Sequence, residues 1–167
     1  MRLLRDAWAM ELAAVTARRS TCLRRAVGCV LLNPRGHVLA TGYNGVAVGL
    51  PHCNEAMELV VRGKAELIYP HACPGAGALS GTNLDSCEAV HAEQNALLQC
   101  RDVYDIETCV VTVGPCMTCT KLLLNTGCQR ILLMEEYSQP VARELWQRAG
   151  RLWQKFSTVV NEKEDSK

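Results

Sequence analysis

The sequence has little net charge, few aromatic residues and no long uninterrupted apolar run. Its 18 lysines and arginines are balanced by 17 aspartates and glutamates, and aromatic residues make up 5% of its 167 positions. Proteins that track a nucleic-acid backbone present a basic face, and those that hold single strands add aromatic stacking platforms. We therefore expect no nucleic-acid partner, and a small-molecule ligand fits this charge balance better.

The N-terminal segment lacks the apolar continuity of a signal peptide or a membrane span. Arg2, Arg5, Asp6 and Glu11 interrupt the stretch MRLLRDAWAMELAAV, whereas a spanning helix needs about 20 apolar residues in succession. Internal repeats and low-complexity segments are absent from the sequence as well. The sequence therefore predicts a cytoplasmic protein with no membrane partner.

Cysteine, in contrast, is abundant, with ten in the chain. Without a secretion signal these residues do not indicate a disulfide framework, because cytosolic thiols are kept reduced. Metal binding is then the leading explanation for the clustered ones. Cys29, Cys100, Cys109 and Cys128 lie in or beside apolar elements and are predicted to be unliganded thiols.

The first part of the chain predicts a helix followed by a hairpin. The stripe of Leu4, Trp8, Leu12 and Val15 has three- and four-residue spacing, which predicts an amphipathic helix over 3–19. Two β-prone runs, at 26–32 and 37–44, flank an Asn-Pro-Arg-Gly turn and predict a β-hairpin.

The second half alternates between helical and extended patterns. The predicted segments are helix 90–100, strand 107–113, helix 116–126, strand 129–134, helix 138–149 and a short strand-like run at 151–157. This alternation implies parallel strands joined by helical crossovers. The fold class is therefore α/β, with a mixed sheet of about five strands in a single domain over residues 1–157 and a charged tail at 158–167.

Residues 46–88 interrupt this pattern. Short apolar pieces alternate there with glycine, proline, histidine and cysteine, and only residues 55–62 have a helical pattern. A long irregular stretch in a compact domain is usually a functional insertion or is tied down by something else.

Two short motifs carry the chemistry. Cys116 and Cys119 follow Pro115 at the start of a predicted helix, where the helix dipole favours the thiolates that zinc requires. His91, at the start of another helix, supplies a third ligand, and a water in the fourth position would make the site open and catalytic. Glu93 is then a proton carrier beside water activated by the metal.

Either motif alone is weak evidence. His91 and Glu93 could be polar residues of a first helical turn, and free cysteines often serve as small core hydrophobes. The two motifs together, H-x-E followed by P-C-x-x-C with both at helix starts, match the pattern of zinc nucleobase deaminases.

Four segments together resemble the deoxycytidylate (dCMP) deaminases, particularly the phage and bacterial branch, within the zinc-dependent cytidine deaminase superfamily. They are STCLRRAVG at 20–28, TGYNG at 41–45, HAEQNA at 91–96 and PCMTC at 115–119. The Gly-Tyr-Asn-Gly segment is the selective one, because the zinc motifs are shared with other deaminases. The resemblance implies a three-layer α/β/α cytidine deaminase-like fold.

The resemblance also implies a reaction and its residues. His91, Cys116 and Cys119 would hold the catalytic zinc ion and Glu93 would shuttle protons, converting dCMP into dUMP and ammonia for thymidylate synthesis. The implied substrate contacts are the Ala92 backbone N–H to the base, Asn44 to the sugar, Tyr137 beside the base and Arg24 or Arg25 to the phosphate. From the residues alone, the arginines could equally be a solvated pair, Asn44 a turn residue and Tyr137 a packing residue.

Regulation is a further expectation from the resemblance. In the family the Gly-Tyr-Asn-Gly region takes part in activation by dCTP and inhibition by dTTP within a hexamer. This chain keeps Gly42, Tyr43, Asn44 and Gly45, so nucleotide effectors and a homo-oligomer, a hexamer by resemblance, are expected.

A second, structural zinc ion is often present in phage and bacterial members, tied to the insertion. Cys22 and Cys53 match the family positions, and His52, His71, Cys73 and Cys87 are also available. The predicted ligands are Cys22, Cys53 and Cys87 with either His71 or Cys73.

Two alternatives remain open at this point. The chain could deaminate another cytosine nucleotide, such as dCTP or a 5-substituted dCMP, because a pocket excludes small additions only weakly. It could also be a non-catalytic zinc scaffold, although such a site has no need of Glu93.

Overall fold

The computed structural model describes residues 2–55, 57–69, 73–79, 82–83, 86–137 and 140–157. Its elements in chain order are α1 (Arg5–Ala17), β1 (Gly28–Leu32), β2 (Val38–Tyr43), β3 (Gly45–Val46), β4 (Met57–Val61), β5 (Lys64–Tyr69), β6 (Ala89–Val90), α2 (Ala92–Gln99), a 3-10 turn (Val103–Asp105), β7 (Thr108–Val113), α3 (Met117–Leu124), β8 (Arg130–Glu135), α4 (Val141–Arg148) and β9 (Leu152–Lys155).

A five-stranded mixed sheet forms the centre of the protein, with strand order β2-β1-β7-β8-β9. Strand β1 is antiparallel to both β2 and β7, whereas β7, β8 and β9 run parallel. The antiparallel pair is the predicted hairpin and the parallel strands are joined by α3 and α4, as the alternating pattern requires. The predicted α/β class and mixed five-stranded sheet are therefore confirmed.

Helices cover both faces of the sheet. Successive side chains of a strand point to opposite faces, so Cys29 and Leu31 pack on the side of α2, α3 and α4, while Val30 and Leu32 pack against α1. Strands β1 and β7 are buried along their whole length, as expected for strands covered on both sides. The predicted three-layer α/β/α arrangement is confirmed.

The apolar stripe predicted for the first helix is correct for Leu12, which packs against the core, but wrong for Trp8 and Val15. Trp8 and Val15 are 37% and 60% exposed, and the buried face of α1 consists of Ala9, Met10, Ala13 and Ala17. The reason is the close approach of helix and sheet: a Cβ atom added to Gly28 would lie 2.0 Å from the Ala13 carbonyl oxygen. The glycine and the small Ala13 and Ala17 allow this approach, so side-chain size as well as hydrophobicity selects the buried face, which also includes Met10.

The helical pattern over residues 55–62 is also wrong. Residues 57–61 form β4, which pairs with β5 as an antiparallel hairpin. Arg62 and Gly63 at its turn have positive φ angles of 51° and 76°, the conformation of the two-residue turn that matches the twist of paired strands. This local turn and the cross-strand ladder determine the structure of a segment too short for periodicity to classify.

The other predicted elements exist within a few residues of their expected bounds. In the part of the chain that the structure describes, no helix is long and apolar enough to cross a bilayer. The predicted tail at 158–167 lies outside the described residues.

Candidate metal centre and pocket

Two helix N-termini bring the predicted ligands together. His91 is the N-cap of α2 and Cys116 the N-cap of α3, with Cys119 in the first turn of the same helix. The entry to α2 is fixed by Gln94, whose side-chain Oε1 accepts a hydrogen bond from the His91 backbone N–H at 2.8 Å. The short link of Gly114 and Pro115 between β7 and α3 sets the first cysteine at the carboxyl end of the strand.

The three ligand atoms have the spacing of a zinc site. The His91 Nδ1 atom lies 3.4 Å from the Cys116 Sγ atom and 3.4 Å from the Cys119 Sγ atom, and all three lie within 4.8 Å of one another. Tetrahedral zinc with ordinary Zn–N and Zn–S bonds separates its nitrogen and sulfur ligands by about 3.6 Å. The donor set therefore fits zinc, and three protein ligands leave a fourth position open.

The electrostatics of these groups suits a cation. A hydrogen bond from the Cys119 thiol, with a further one from His91, lowers the pKa of Cys116 to about 4 despite its burial. The same hydrogen bond to Cys116 raises the pKa of Cys119, and the pKa of His91 rises mainly through its hydrogen bond to Cys116. Metal binding displaces thiol protons from this pair because the ligands of zinc are thiolates.

Glu93 lies in the first turn of α2 and is 4% exposed. Burial raises the pKa of its carboxyl to about 7, against the opposing effects of its own backbone N–H and of His91. Its side chain also hydrogen-bonds Cys119. A carboxyl group with this pKa exchanges protons readily near neutral pH, which is the property required of an acid–base group.

A pocket opens directly on this centre. It is bounded by the segment that links α1 to β1, by Asn44 after β2, by the start of α2, and by the residues that follow β7 and β8; the lining includes Cys22, Arg24, Arg25, Val27, Cys87, Ala89, Ala92, Val113, Gly114 and Tyr137. Ligand pockets of α/β proteins commonly lie at the carboxyl ends of parallel strands. The structure therefore brings the sequence-predicted substrate residues to one pocket with the metal ligands.

The two arginines of the pocket are held differently. The Nη2 group of Arg24 donates to the backbone carbonyl oxygens of Leu79 and Thr82 in the insertion. Arg25 is 40% exposed, and its guanidinium lies 3.9 Å from the Glu135 carboxylate, itself 63% exposed. The tie of Arg24 to the insertion has no signal in the sequence, because any residue supplies a backbone carbonyl.

Asn44 lines the pocket and also holds the backbone of the segment that precedes β1. It is 8% exposed, and its side-chain amide bonds the backbone: Oδ1 accepts from the Val27 N–H at 2.8 Å, and Nδ2 donates to the Arg25 carbonyl at 2.7 Å. These partners are 17 and 19 residues away in the sequence, so the contact could not be predicted from local pattern.

The Gly-Tyr-Asn-Gly segment has a structural explanation at its first glycine. Gly42 is buried under α2, and a Cβ atom there would lie 2.2 Å from the Ala92 carbonyl oxygen and 2.4 Å from the Ala96 nitrogen. Tyr43 lies beside α2 as well, with Arg19 at 5.9 Å from its ring centroid and its carbonyl accepting from Asn95 Nδ2 at 2.7 Å.

Four cysteines of the predicted second metal set gather beside the pocket. Cys53 and Cys73 are 1% and 2% exposed, Cys22 and Cys87 are half-buried, and the Cys73 side chain lies near both Cys53 and Cys87. Burial, with the neighbouring Cys73 and Cys22, raises the pKa of Cys53 to about 12. His71 lies outside the described residues.

The thiols predicted to be unliganded are separate from both sets. Cys29, Cys109 and Cys128 are fully buried in the core, where the Cys29 and Cys109 sulfur atoms are 3.6 Å apart. Cys100 is half-buried and donates to the Asp102 carbonyl at 3.3 Å.

Comparison with known proteins identifies the family of this chain. Residues 4–135 match the model of the cytidine and deoxycytidylate deaminase zinc-binding region. The deoxycytidylate deaminase of Mycobacterium phage D29 is 35% identical over 133 residues, which cover 78% of this chain and 94% of the phage protein. That of Schizosaccharomyces pombe is 34% identical over 143 residues, or 80% of this chain.

The relatives differ in length. The chain spans 38% of the length of the Schizosaccharomyces pombe and Saccharomyces cerevisiae relatives that it matches. Among solved structures, the dCMP deaminase of cyanophage S-TIM5 in complex with dCMP and dUMP matches with a TM-score of 0.68 and 23% identity, over 93% of this chain and 99% of the phage chain. At that identity the match establishes the shared fold.

Proposed function

The chain belongs to the cytidine and deoxycytidylate deaminase family, and from this membership we propose that it catalyses the hydrolytic deamination of dCMP to dUMP and ammonia. One observation carries the proposal. The buried Glu93 lies beside three convergent metal ligands, in a pocket that also contains Arg24 and Arg25. This combination offers a proton carrier, a zinc position and cationic groups for a phosphate.

Different residues of this chain serve different steps of the reaction. His91, Cys116 and Cys119 would hold a zinc ion, which when bound would supply the Lewis acidity that makes water a nucleophile near neutral pH. Water adds to C4 of the cytosine ring, and Glu93 takes one of its protons and delivers it to N3. Glu93 then carries the second proton from the new hydroxyl to the exocyclic nitrogen, the C4–N bond breaks, and ammonia leaves.

The remaining pocket residues orient the nucleotide. Ala92 is the first residue of α2, and its backbone N–H has no hydrogen-bond acceptor within the helix. This N–H can therefore donate a hydrogen bond to the base. Tyr137 walls the base position from the segment after β8. An arginine guanidinium binds phosphate through two parallel donors, and Arg24 and Arg25 are the two candidates.

Ammonia release from a panel of cytosine compounds tests the proposal. We expect purified protein with counted zinc to turn over dCMP in preference to CMP, dCTP, deoxycytidine and 5-methyl-dCMP. Preference for dCTP or 5-methyl-dCMP would keep the zinc chemistry but overturn the substrate. No turnover of any member would favour a zinc scaffold instead.

Regulation by nucleotides and assembly as a homo-oligomer, a hexamer by family resemblance, are parts of the same proposal. The segment Gly42–Gly45 adjoins the pocket through Asn44 and contacts α2 through Tyr43, so an effector bound there could alter the start of the catalytic helix. A dCMP saturation curve that is hyperbolic and unchanged by dCTP and dTTP would contradict this part. The ten free cysteines support the proposed cytoplasmic location, where thiols stay reduced.

We also propose a second, structural zinc ion held by Cys22, Cys53, Cys73 and Cys87. The four thiols come from the segment before β1, the insertion and the segment before β6, and they lie close enough to influence one another electrostatically. Four cysteine ligands would complete a closed tetrahedral site. Within the described residues, only the His91 group has its ligand atoms within 4.8 Å, so metal binding would draw these four thiols closer together.

Zinc counting tests the second site. We expect two zinc ions per chain in the native protein and about one in Cys73→Ser, because a single lost thiolate lowers the affinity of a four-ligand site steeply. Cys100→Ser is the matched control and should keep both ions. One zinc ion per chain in folded, active native protein would refute the second site.

A further inference from the structure

Residues 20–27, the arginine arm, link α1 to β1 and carry both arginines of the pocket. The arm contains no helix or strand, so it lacks the backbone ladder that holds the strands in place. Cys22, Arg24, Arg25 and Val27 of this arm line the pocket. Other contacts must therefore fix the arm over the metal centre.

Asn44 makes four such contacts, the first through its carbonyl oxygen, which accepts from the Ser20 hydroxyl at 2.8 Å at the start of the arm. Strands β1 and β2 pair up to Gly28 and Tyr43, and one step further the Asn44 backbone N–H donates to the Val27 carbonyl at 3.2 Å. Beyond that step the Asn44 side chain makes the contacts to the arm. Its Oδ1 atom accepts from the Val27 N–H, and its Nδ2 atom donates to the Arg25 carbonyl. The amide thus substitutes for a neighbouring strand, which requires one acceptor and one donor on a short side chain.

The two arginines depend on Asn44 to different degrees. The Arg24 guanidinium is anchored to two carbonyls of the insertion. Among the described residues, the Arg25 side chain has one ion pair, at 3.9 Å between exposed groups, and such a pair contributes little. The position of Arg25 therefore rests on its own backbone, and the backbone at Arg25 is held by Asn44.

We propose that Asn44 is a positioning residue that fixes the arginine arm at Arg25 and so directs the Arg25 guanidinium to the 5′-phosphate of the substrate. This inference rests on the proposed function, because it requires a phosphorylated nucleoside. It also divides the arginines: Arg25 binds phosphate and Arg24 ties the arm to the insertion.

Comparison of dCMP with deoxycytidine tests the inference, since the two differ only in the phosphate. In Asn44→Ala and Asn44→Asp we expect kcat/KM for dCMP to fall roughly ten- to hundred-fold, mainly through KM, as for loss of a charge-assisted hydrogen bond. The value for deoxycytidine should change by less than about threefold. Aspartate keeps the acceptor for Val27 but loses the donor to Arg25.

Two further variants separate positioning from stability. Asn33→Ala removes an asparagine whose Oδ1 also accepts from two backbone N–H groups, those of Arg35 and His37, at the opposite end of the hairpin, and it should leave the dCMP to deoxycytidine ratio unchanged. Arg25→Ala should lower that ratio as Asn44→Ala does, and the double variant should be no worse than either single one.

Hydrogen exchange of the arm gives a readout that does not need turnover. Asn44→Ala should speed amide exchange at residues 25–27, including the Val27 N–H, while Asn33→Ala should not. Equal losses for dCMP and deoxycytidine would show a direct sugar or base contact and overturn the inference, as would unchanged exchange in the arm. A native protein without preference for dCMP over deoxycytidine would instead contradict the proposed substrate. The exchange measurement would still test whether Asn44 holds the arginine arm in place.

Discussion

Replacing Glu93 with glutamine is expected to lower the turnover of dCMP by about 100- to 10,000-fold while the zinc content stays unchanged. Glutamine has the same size and still forms hydrogen bonds, but it cannot take a proton from water or carry one to the base. Glu93 is buried and lies outside the three-ligand group, so the change removes a buried ionisable group without removing a metal ligand.

The control for this variant is Glu88→Gln, the same chemical change at an exposed glutamate just before β6. It should keep native turnover and native zinc. Zinc counting and initial rates on the same samples separate the possibilities. Loss of zinc together with turnover in Glu93→Gln would make Glu93 a ligand, and retention of turnover would assign the proton transfers to another group.

Replacing Gly42 with alanine is expected to destabilise the fold by about 3 kcal/mol or more, which lowers Tm by roughly 6 to 12 °C in a domain of this size. The added Cβ would lie 2.2 Å from the Ala92 carbonyl oxygen and 2.4 Å from the Ala96 nitrogen. Both neighbours are backbone atoms of α2, so relief requires a shift of the whole helix. The same shift would displace His91 and Glu93, and we expect activity to fall with stability.

Gly45→Ala is the matched control within the same motif. A Cβ atom there has its nearest contact at 3.8 Å, with the Tyr43 ring, so thermal unfolding of this variant should resemble that of the native protein. A Gly42→Ala protein with native Tm would show that α2 can move away from β2 without cost. In that case the glycine would be explained by ligand binding and not by packing.

The two wrong predictions, for the buried face of α1 and for the helical pattern at 55–62, have a common physical origin. Each depends on a contact between segments that the local sequence does not describe. On α1, hydrophobicity predicts that Trp8 and Val15 lie in the core, yet the buried face carries Ala9, Met10, Ala13 and Ala17 because Gly28 approaches the helix backbone. Residues 57–61 are a strand because β5 pairs with them across a two-residue turn. Neither the width of a gap nor the presence of a partner strand is encoded in local periodicity.

The functional site also combines features that the sequence determines with features that only the tertiary structure determines. The proposed roles of His91, Glu93, Cys116 and Cys119 follow from the sequence by itself, because metal chemistry restricts both the residue types and their spacing on a helix start. The overall α/β class does too, since periodicity records which side chains are buried. The tertiary structure alone decided that Asn44 holds the arm at Arg25 and that the insertion carbonyls hold Arg24. Those contacts use backbone atoms, which every residue carries, and they join segments brought together only by folding.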